Sequence, residues 1–181
     1  KLVIPHVDEL SPEANETQSV NTIFFQDEKV VGHNTDISGF ELGIKYSKYD
    51  VNNKEVLILG AGGVVSSIIV ALKKMGVSKK LFPNLIHSTV VIEDNVKMGH
   101  GNILYPFTSV CSGTKLKDFI MITHSCILAH NVKIDSFSLF GSRTSILNNV
   151  IIGKNVFCGA NVLFAENIKI GDSSTIIFSS I

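Results

Sequence analysis

From Ile86 to Ile181 the chain divides into sixteen consecutive hexads without insertion, and the first position of every hexad is apolar. Ile86, Met98, Leu104, Leu128, Phe140, Cys158 and Ile176 are examples. An α-helical stripe recurs every 3.6 residues, so a six-residue period excludes a helix. It fits short strands separated by tight turns and stacked as a solenoid. The fifth position supports the register. Val90, Thr108, Thr114, Cys126, Val132, Thr144 and Val156 are small or β-branched, as a narrow interior with a large residue opposite requires. Glycine recurs at the second position, in Gly99, Gly141, Gly153, Gly159 and Gly171. The expectation is a corner that needs an unusual backbone angle.

Upstream of about Leu81 the hexad register is absent. There the apolar run Glu55-Val-Leu-Ile-Leu is followed by Gly60, Ala61, Gly62 and Gly63. Next comes the apolar stretch Val65 to Met75, ended by Gly76. The pattern predicts a strand, a glycine turn and a helix, an arrangement whose helix N-terminus can cradle a pyrophosphate. Two domains are expected, an α/β segment over 1–80 and a mainly β solenoid over 81–181.

Composition narrows the function. Hydrophobic residues make up 45% of the 181 residues, enough for a real core. The 16 basic and 16 acidic residues balance, and no basic block stands out, which argues against nucleic acid or an anionic membrane as partner. No apolar run has membrane-spanning length and no secretory signal is visible, so a cytoplasmic location is expected. Lys1 in place of Met predicts that the natural start lies upstream. Cys111, Cys126 and Cys158 form no C-x-x-C pair. Cys126 and Cys158 occupy inward hexad positions and are expected to be buried thiols in a reducing compartment.

These hexads resemble those of the hexapeptide-repeat acyltransferases. The resemblance implies a left-handed parallel β-helix of triangular section with three hexads per coil. Leu81-Phe-Pro-Asn-Leu-Ile-His87 and Ile127-Leu-Ala-His-Asn-Val-Lys-Ile134 are similar to segments of the sialic acid and bacillosamine acetyltransferases within that superfamily. The family's general base then corresponds to His130. Asn131 stands where the family often carries an acidic orienting residue, and Leu139 where it carries a second histidine. The resemblance implies acetyl-coenzyme A as cosubstrate, held near the corners at Gly141, Ser142, Gly159 and Ala160. It further implies a homotrimer, a sugar amine or hydroxyl as acceptor, and corner N–H groups for the oxyanion. A neutral imidazole is suited to take the proton of the attacking group near pH 7. On the family's pattern, further coils and a cap would follow Ile181.

Three motifs of the N-terminal part resemble shikimate dehydrogenase. These are Ser19-Val-Asn-Thr, then Asn34-Thr-Asp-Ile-Ser-Gly-Phe40, then Gly60-Ala-Gly-Gly63. The resemblance implies a partial Rossmann-like segment in which Asn21 and Asp36 bind substrate hydroxyls and Gly60, Ala61, Gly62 and Gly63 approach NADP. Val7 stands where that family has its catalytic lysine. Ser78-Lys-Lys80 runs into the hexads where a second nucleotide-fold strand would come. The expectation is a vestigial segment that does not catalyse dehydrogenation.

His100, His124 and His130 share the third hexad position. The γ-class carbonic anhydrases bind zinc through three histidines on this fold. Here the spacing puts the three on different edges of the prism, so no metal site is expected from them.

Overall fold

The structure is a computed structural model, described here for residues 3–58 and 63–177. It divides into two compact units, Lys1–Leu81 and Phe82–Ile181. No helix among the described residues is long and apolar enough to cross a membrane.

The second unit is a left-handed parallel β-helix, a solenoid as the hexads predict and of the hand that the resemblance implies. Each hexad contributes a two-residue strand from its sixth and following first positions. Strands pair in parallel with those one coil later, as in Leu85 with Ile103 and Ile127 with Ser145. Three sheets result, of six, five and five strands. The first face runs from Leu85–Ile86 through Leu139–Phe140 to Thr175–Ile176. The second runs from Val91–Ile92 through Ile127–Leu128 to Leu163–Phe164. The third runs from Lys97–Met98 through Lys133–Ile134 to Lys169–Ile170.

First-position side chains fill the prism. Val110, Ile122, Leu128, Phe140, Ile146 and Cys158 are fully buried in one continuous core. Fifth positions also point inward, and several are polar. Their groups are satisfied by the coil above: Asn102 Nδ2 donates to the Lys117 carbonyl at 2.9 Å and Thr114 Oγ1 to that of Ala129 at 2.9 Å. Asn102 Oδ1 in turn accepts from Ile120 N at 2.9 Å. A polar residue in this core therefore replaces backbone partners that the corners would otherwise leave unpaired.

The glycines at the second position do not have the unusual angle expected of them. The left-handed backbone falls at the fourth position, for example in Asn131, Phe137, Arg143 and Asn149. Gly141 is required for a different reason. A Cβ there would meet Ala160 N and the Gly159 carbonyl carbon at 2.5 Å, because successive corners stack backbone on backbone.

In the first unit, β1 (Glu9–Leu10) pairs in parallel with β3 (Lys29–His33), and β2 (Thr22–Gln26) pairs antiparallel with β3. Helix α1 (Pro12–Thr17) is capped by Ser11, whose Oγ accepts from Ala14 N at 3.2 Å. Helices α2 (Asp36–Ser47) and α3 (Val65–Lys74) pack through Ile37, Phe40, Val70 and Ala71. The expected helix forms, but the run from Glu55 to Ile58 is not a strand. Val56 N donates to the Leu81 carbonyl at 2.8 Å, and among the described residues no parallel neighbour completes a sheet there.

Candidate functional site

His130 sits on the edge where the second face turns into the third. It is exposed, at the third hexad position, one residue before the left-handed Asn131. Its backbone N–H donates to Asn148 Oδ1 at 3.1 Å, and Asn148 Nδ2 donates to Glu166 Oε1 at 2.7 Å. Two coils earlier on the same edge lies Glu93. Its Oε2 is 4.0 Å from His130 Nδ1 and accepts from Ser112 N at 2.9 Å. Cys111, on the intervening coil, completes the cluster. Burial, then the Glu93 charge and a hydrogen bond to that carboxylate, hold the Cys111 thiol above its usual range.

Glu93 and Cys111 were not singled out from the sequence, though a signal existed. Three hexads per coil place 93, 111 and 129 in one column, so position arithmetic finds them. The Asn131 amide is bonded along the edge. Its Nδ2 donates to Asn149 Oδ1 at 3.3 Å, and Asn149 Nδ2 to Asn167 Oδ1 at 3.1 Å, an amide ladder along the edge. Its left-handed backbone suits asparagine and directs its amide along this column. The acidic group beside the imidazole is Glu93.

Corner N–H groups differ between edges. Around His130 they are taken: Ala129 N by the Ile146 carbonyl, Asn131 N by that of Ser112, and Val132 N by Thr114 Oγ1. Gly141, Ser142, Gly159 and Ala160 lie on another edge, between the first and second faces, so one chain does not bring them to His130. There the N–H groups of Ser142 and Ala160 have no partner among the described residues. Ser142 Oγ lies 3.1 Å from Thr123 Oγ1.

His100 and His124 occupy the two remaining edges, one each, in agreement with the spacing. Tyr105 packs edge-on against His124 with centroids 4.9 Å apart. Cys126 and Cys158 are fully buried in the core.

In the first unit Asn21 and Asp36 are brought together. Asn21 Nδ2 donates to Asp36 Oδ1 at 2.9 Å, and Asn21 Oδ1 accepts from Thr35 N at 3.1 Å. Asn34, which the sequence reading left without a role, is fully buried. Its Nδ2 reaches Thr17 Oγ1, the Ser19 carbonyl and Ser67 Oγ, and its Oδ1 accepts from Asp36 N at 2.9 Å. It thereby holds the loop that carries Asp36. Gly60, Ala61 and Gly62 lie outside the described residues. A Cβ at Gly63 would meet nothing within 4 Å.

Two sets of relatives match the two parts of the chain. A partial N-terminal stretch is similar to shikimate dehydrogenase (NADP(+)) of Pelagibacter ubique, 56% identical over 84 residues. That match covers 46% of this chain and 32% of that protein. The enzyme of Streptomyces avermitilis is 41% identical over 76 residues, 42% of this chain and 26% of its own length. The chain thus spans about a third or less of the curated relatives it matches. Among solved structures, it resembles a perosamine N-acetyltransferase variant from Caulobacter crescentus in complex with CoA and GDP-perosamine. The TM-score is 0.64 at 13% identity, over 81% of this chain and 66% of that one. It also resembles the acetyltransferase domain of PglB from Neisseria gonorrhoeae in complex with acetyl coenzyme A. Here the TM-score is 0.58 at 14% identity, over 94% of both chains. At such identities the likeness is one of fold. No family model matches the chain.

Proposed function

We propose that the β-helix is an acetyl-coenzyme A-dependent acyltransferase that acetylates an amino or hydroxyl group of a sugar or sugar nucleotide, with His130 as general base. The observation that carries this reading is the exposed imidazole of His130 on a coil corner, 4.0 Å from the Glu93 carboxylate, in a fold shared with sugar acetyltransferases. His130 removes the proton from the acceptor N–H or O–H as that atom attacks the thioester carbonyl. The C–S bond then breaks, and the coenzyme A thiolate recovers the proton from the imidazolium. No acyl-enzyme is needed.

The acyl donor is assigned to the edge with Gly141, Ser142, Gly159 and Ala160. The N–H groups of Ser142 and Ala160, without a partner among the described residues, suit a carbonyl oxygen that gains negative charge. Because this edge and the His130 edge are separate, a complete site requires two chains side by side, and a homotrimer is proposed. The outward row of the first face favours such packing. Leu85, Ile103, Met121, Leu139 and Phe157 line it, whereas Lys97, Lys115, Lys133 and Lys169 line the third face. The three free thiols suit a cytoplasmic location. The test is release of coenzyme A thiol from acetyl-coenzyme A across a panel of amino sugars and sugar nucleotides. Release that no acceptor stimulates would overturn the reading.

A second reading, NADP-dependent shikimate dehydrogenation by residues 1–80, is favoured by the Asn21–Asp36 pair and by the similarity over that stretch. We propose that this segment keeps part of a substrate-binding loop without catalysis, since Val7 stands where the resemblance puts the lysine. Shikimate-dependent NADPH formation above background would refute that.

A further inference from the structure

Among the described residues, one group of side chains has the composition and closeness of a metal site. A carboxylate oxygen of Glu93, Sγ of Cys111 and an imidazole nitrogen of His130 all lie within 4.8 Å of one another. Each comes from a different coil of one edge. The strands that deliver them are locked in register, Val91 against Ser109 and Ser109 against Ile127. The backbone is further pinned by Ser112 N on Glu93 Oε2 and by His130 N on Asn148 Oδ1. The donors therefore rest on rigid rungs, and only their side-chain ends need to move.

We propose that Glu93, Cys111 and His130 form a binding site for a thiophilic divalent cation of the zinc type. The donor set selects the ion. Magnesium and calcium take oxygen ligands, whereas one sulfur, one nitrogen and one oxygen suit zinc or its first-row neighbours. Zinc bonds of about 2.0–2.3 Å in a tetrahedron put donors roughly 3.5 Å apart, so the cluster closes by about 1 Å through rotation of partly exposed side chains. The charge also closes. Zinc displaces the Cys111 thiol proton to solvent, and the thiolate, the Glu93 carboxylate and a neutral imidazole leave no net charge. Three protein ligands leave a fourth position for water, since the edge faces solvent. The ion would occupy the imidazole lone pair. Where His130 serves as the base, as in the acyltransfer reading on which this consequence rests, zinc would inhibit.

The experiment uses the full chain, reduced and stripped of metal with a chelator. Zinc is titrated against a chromophoric competitor, and cobalt is bound in its place for absorption spectra. The expected result is one zinc per chain and a sulfur-to-cobalt charge-transfer band. Cys111→Ser should abolish the band, and Cys111→Ser and Glu93→Gln should each weaken zinc by about 100-fold or more. Circular dichroism checks that both variants keep the fold. Glu93→Gln changes only one exposed group and keeps the experiment decisive if Cys111→Ser unfolds. Absence of binding, a cobalt spectrum without the sulfur band, or unchanged affinity in a folded variant would each overturn the proposal. Full acetyl transfer by His130→Ala would sink the base assignment instead, and would leave the cobalt result standing.

Discussion

Glu93 and His130 meet across two coils: Oε2 of the carboxylate lies 4.0 Å from Nδ1 of the imidazole, with Cys111 on the coil between. Neither residue approaches the other through local structure. The contact exists because the three-sided coil returns to the same edge at a fixed interval. The carboxylate is held by Ser112 N at 2.9 Å, so the pair is set by backbone that the fold already needs.

The proposed acyl transfer gives the neighbours His130 and Asn131 different roles. His130→Ala should lower acetyl transfer by about 10²–10⁴-fold with unchanged thermal stability. Asn131→Gly should keep most of the turnover, because glycine accepts the left-handed backbone at φ 59°. Asn131→Ala should instead cost about 1 kcal/mol of stability. Thiol-release rates and urea denaturation of the three variants measure both quantities. Full activity in His130→Ala would remove the base.

The thiols should differ in reactivity. Burial pushes the Cys158 thiol up to about 11, and burial also raises Cys126. At neutral pH both stay protonated and covered. Native protein should take up one equivalent of an alkylating reagent, at Cys111, and three after unfolding in denaturant. Mass spectrometry of the labelled chain reads the number. Removal of the negative charge in Glu93→Gln should speed labelling of Cys111, since that charge raises its thiol.

Two glycines should respond oppositely to alanine. Gly39 lies in the interior of α2, and an added Cβ would meet nothing within 4 Å. Gly39→Ala should stabilise the first unit by up to about 1 kcal/mol. Gly141→Ala should destabilise the β-helix, because the new Cβ would meet backbone at 2.5 Å. Denaturation midpoints of the two variants should move in opposite directions.

A pH dependence follows from the Asp135 carboxylate, which accepts from Lys117 Nζ at 2.6 Å. Burial raises its pKa most, but the Lys117 hydrogen bond, a backbone bond from Ser136 and the lysine charge together hold it below the usual aspartate range. A carboxyl lowered in the folded state stabilises above its unfolded value of about 4, and that contribution disappears as pH falls through the lower folded value. The pair is partly exposed, so the effect should be below about 1 kcal/mol. Asp135→Asn should lose this part of the acid limb, measured as melting temperature between pH 7 and pH 2.

The hexad register was enough for the solenoid, its core residues and the separation of His100, His124 and His130 onto three edges. Period and side-chain size report directly on a fold whose every coil repeats one local geometry. In the first unit, Asn21 and Asp36 were legible as a pair through their motif. Asn34 was not, because its importance lies in burial against Thr17, Ser19 and Ser67, which come from separate segments.

The sequence by itself determined the period, the inward and outward alternation, and the change of pattern near Leu81. These depend only on neighbours along the chain. The tertiary structure alone decided that second-position glycines answer close backbone approach and that Asn131 belongs to an amide ladder. It also decided how near the Glu93 carboxylate comes to His130, at 4.0 Å. Each of these is a contact between coils, fixed by the stacking of edges; the register names the residues of a column, but not the distances and side-chain bonds within it.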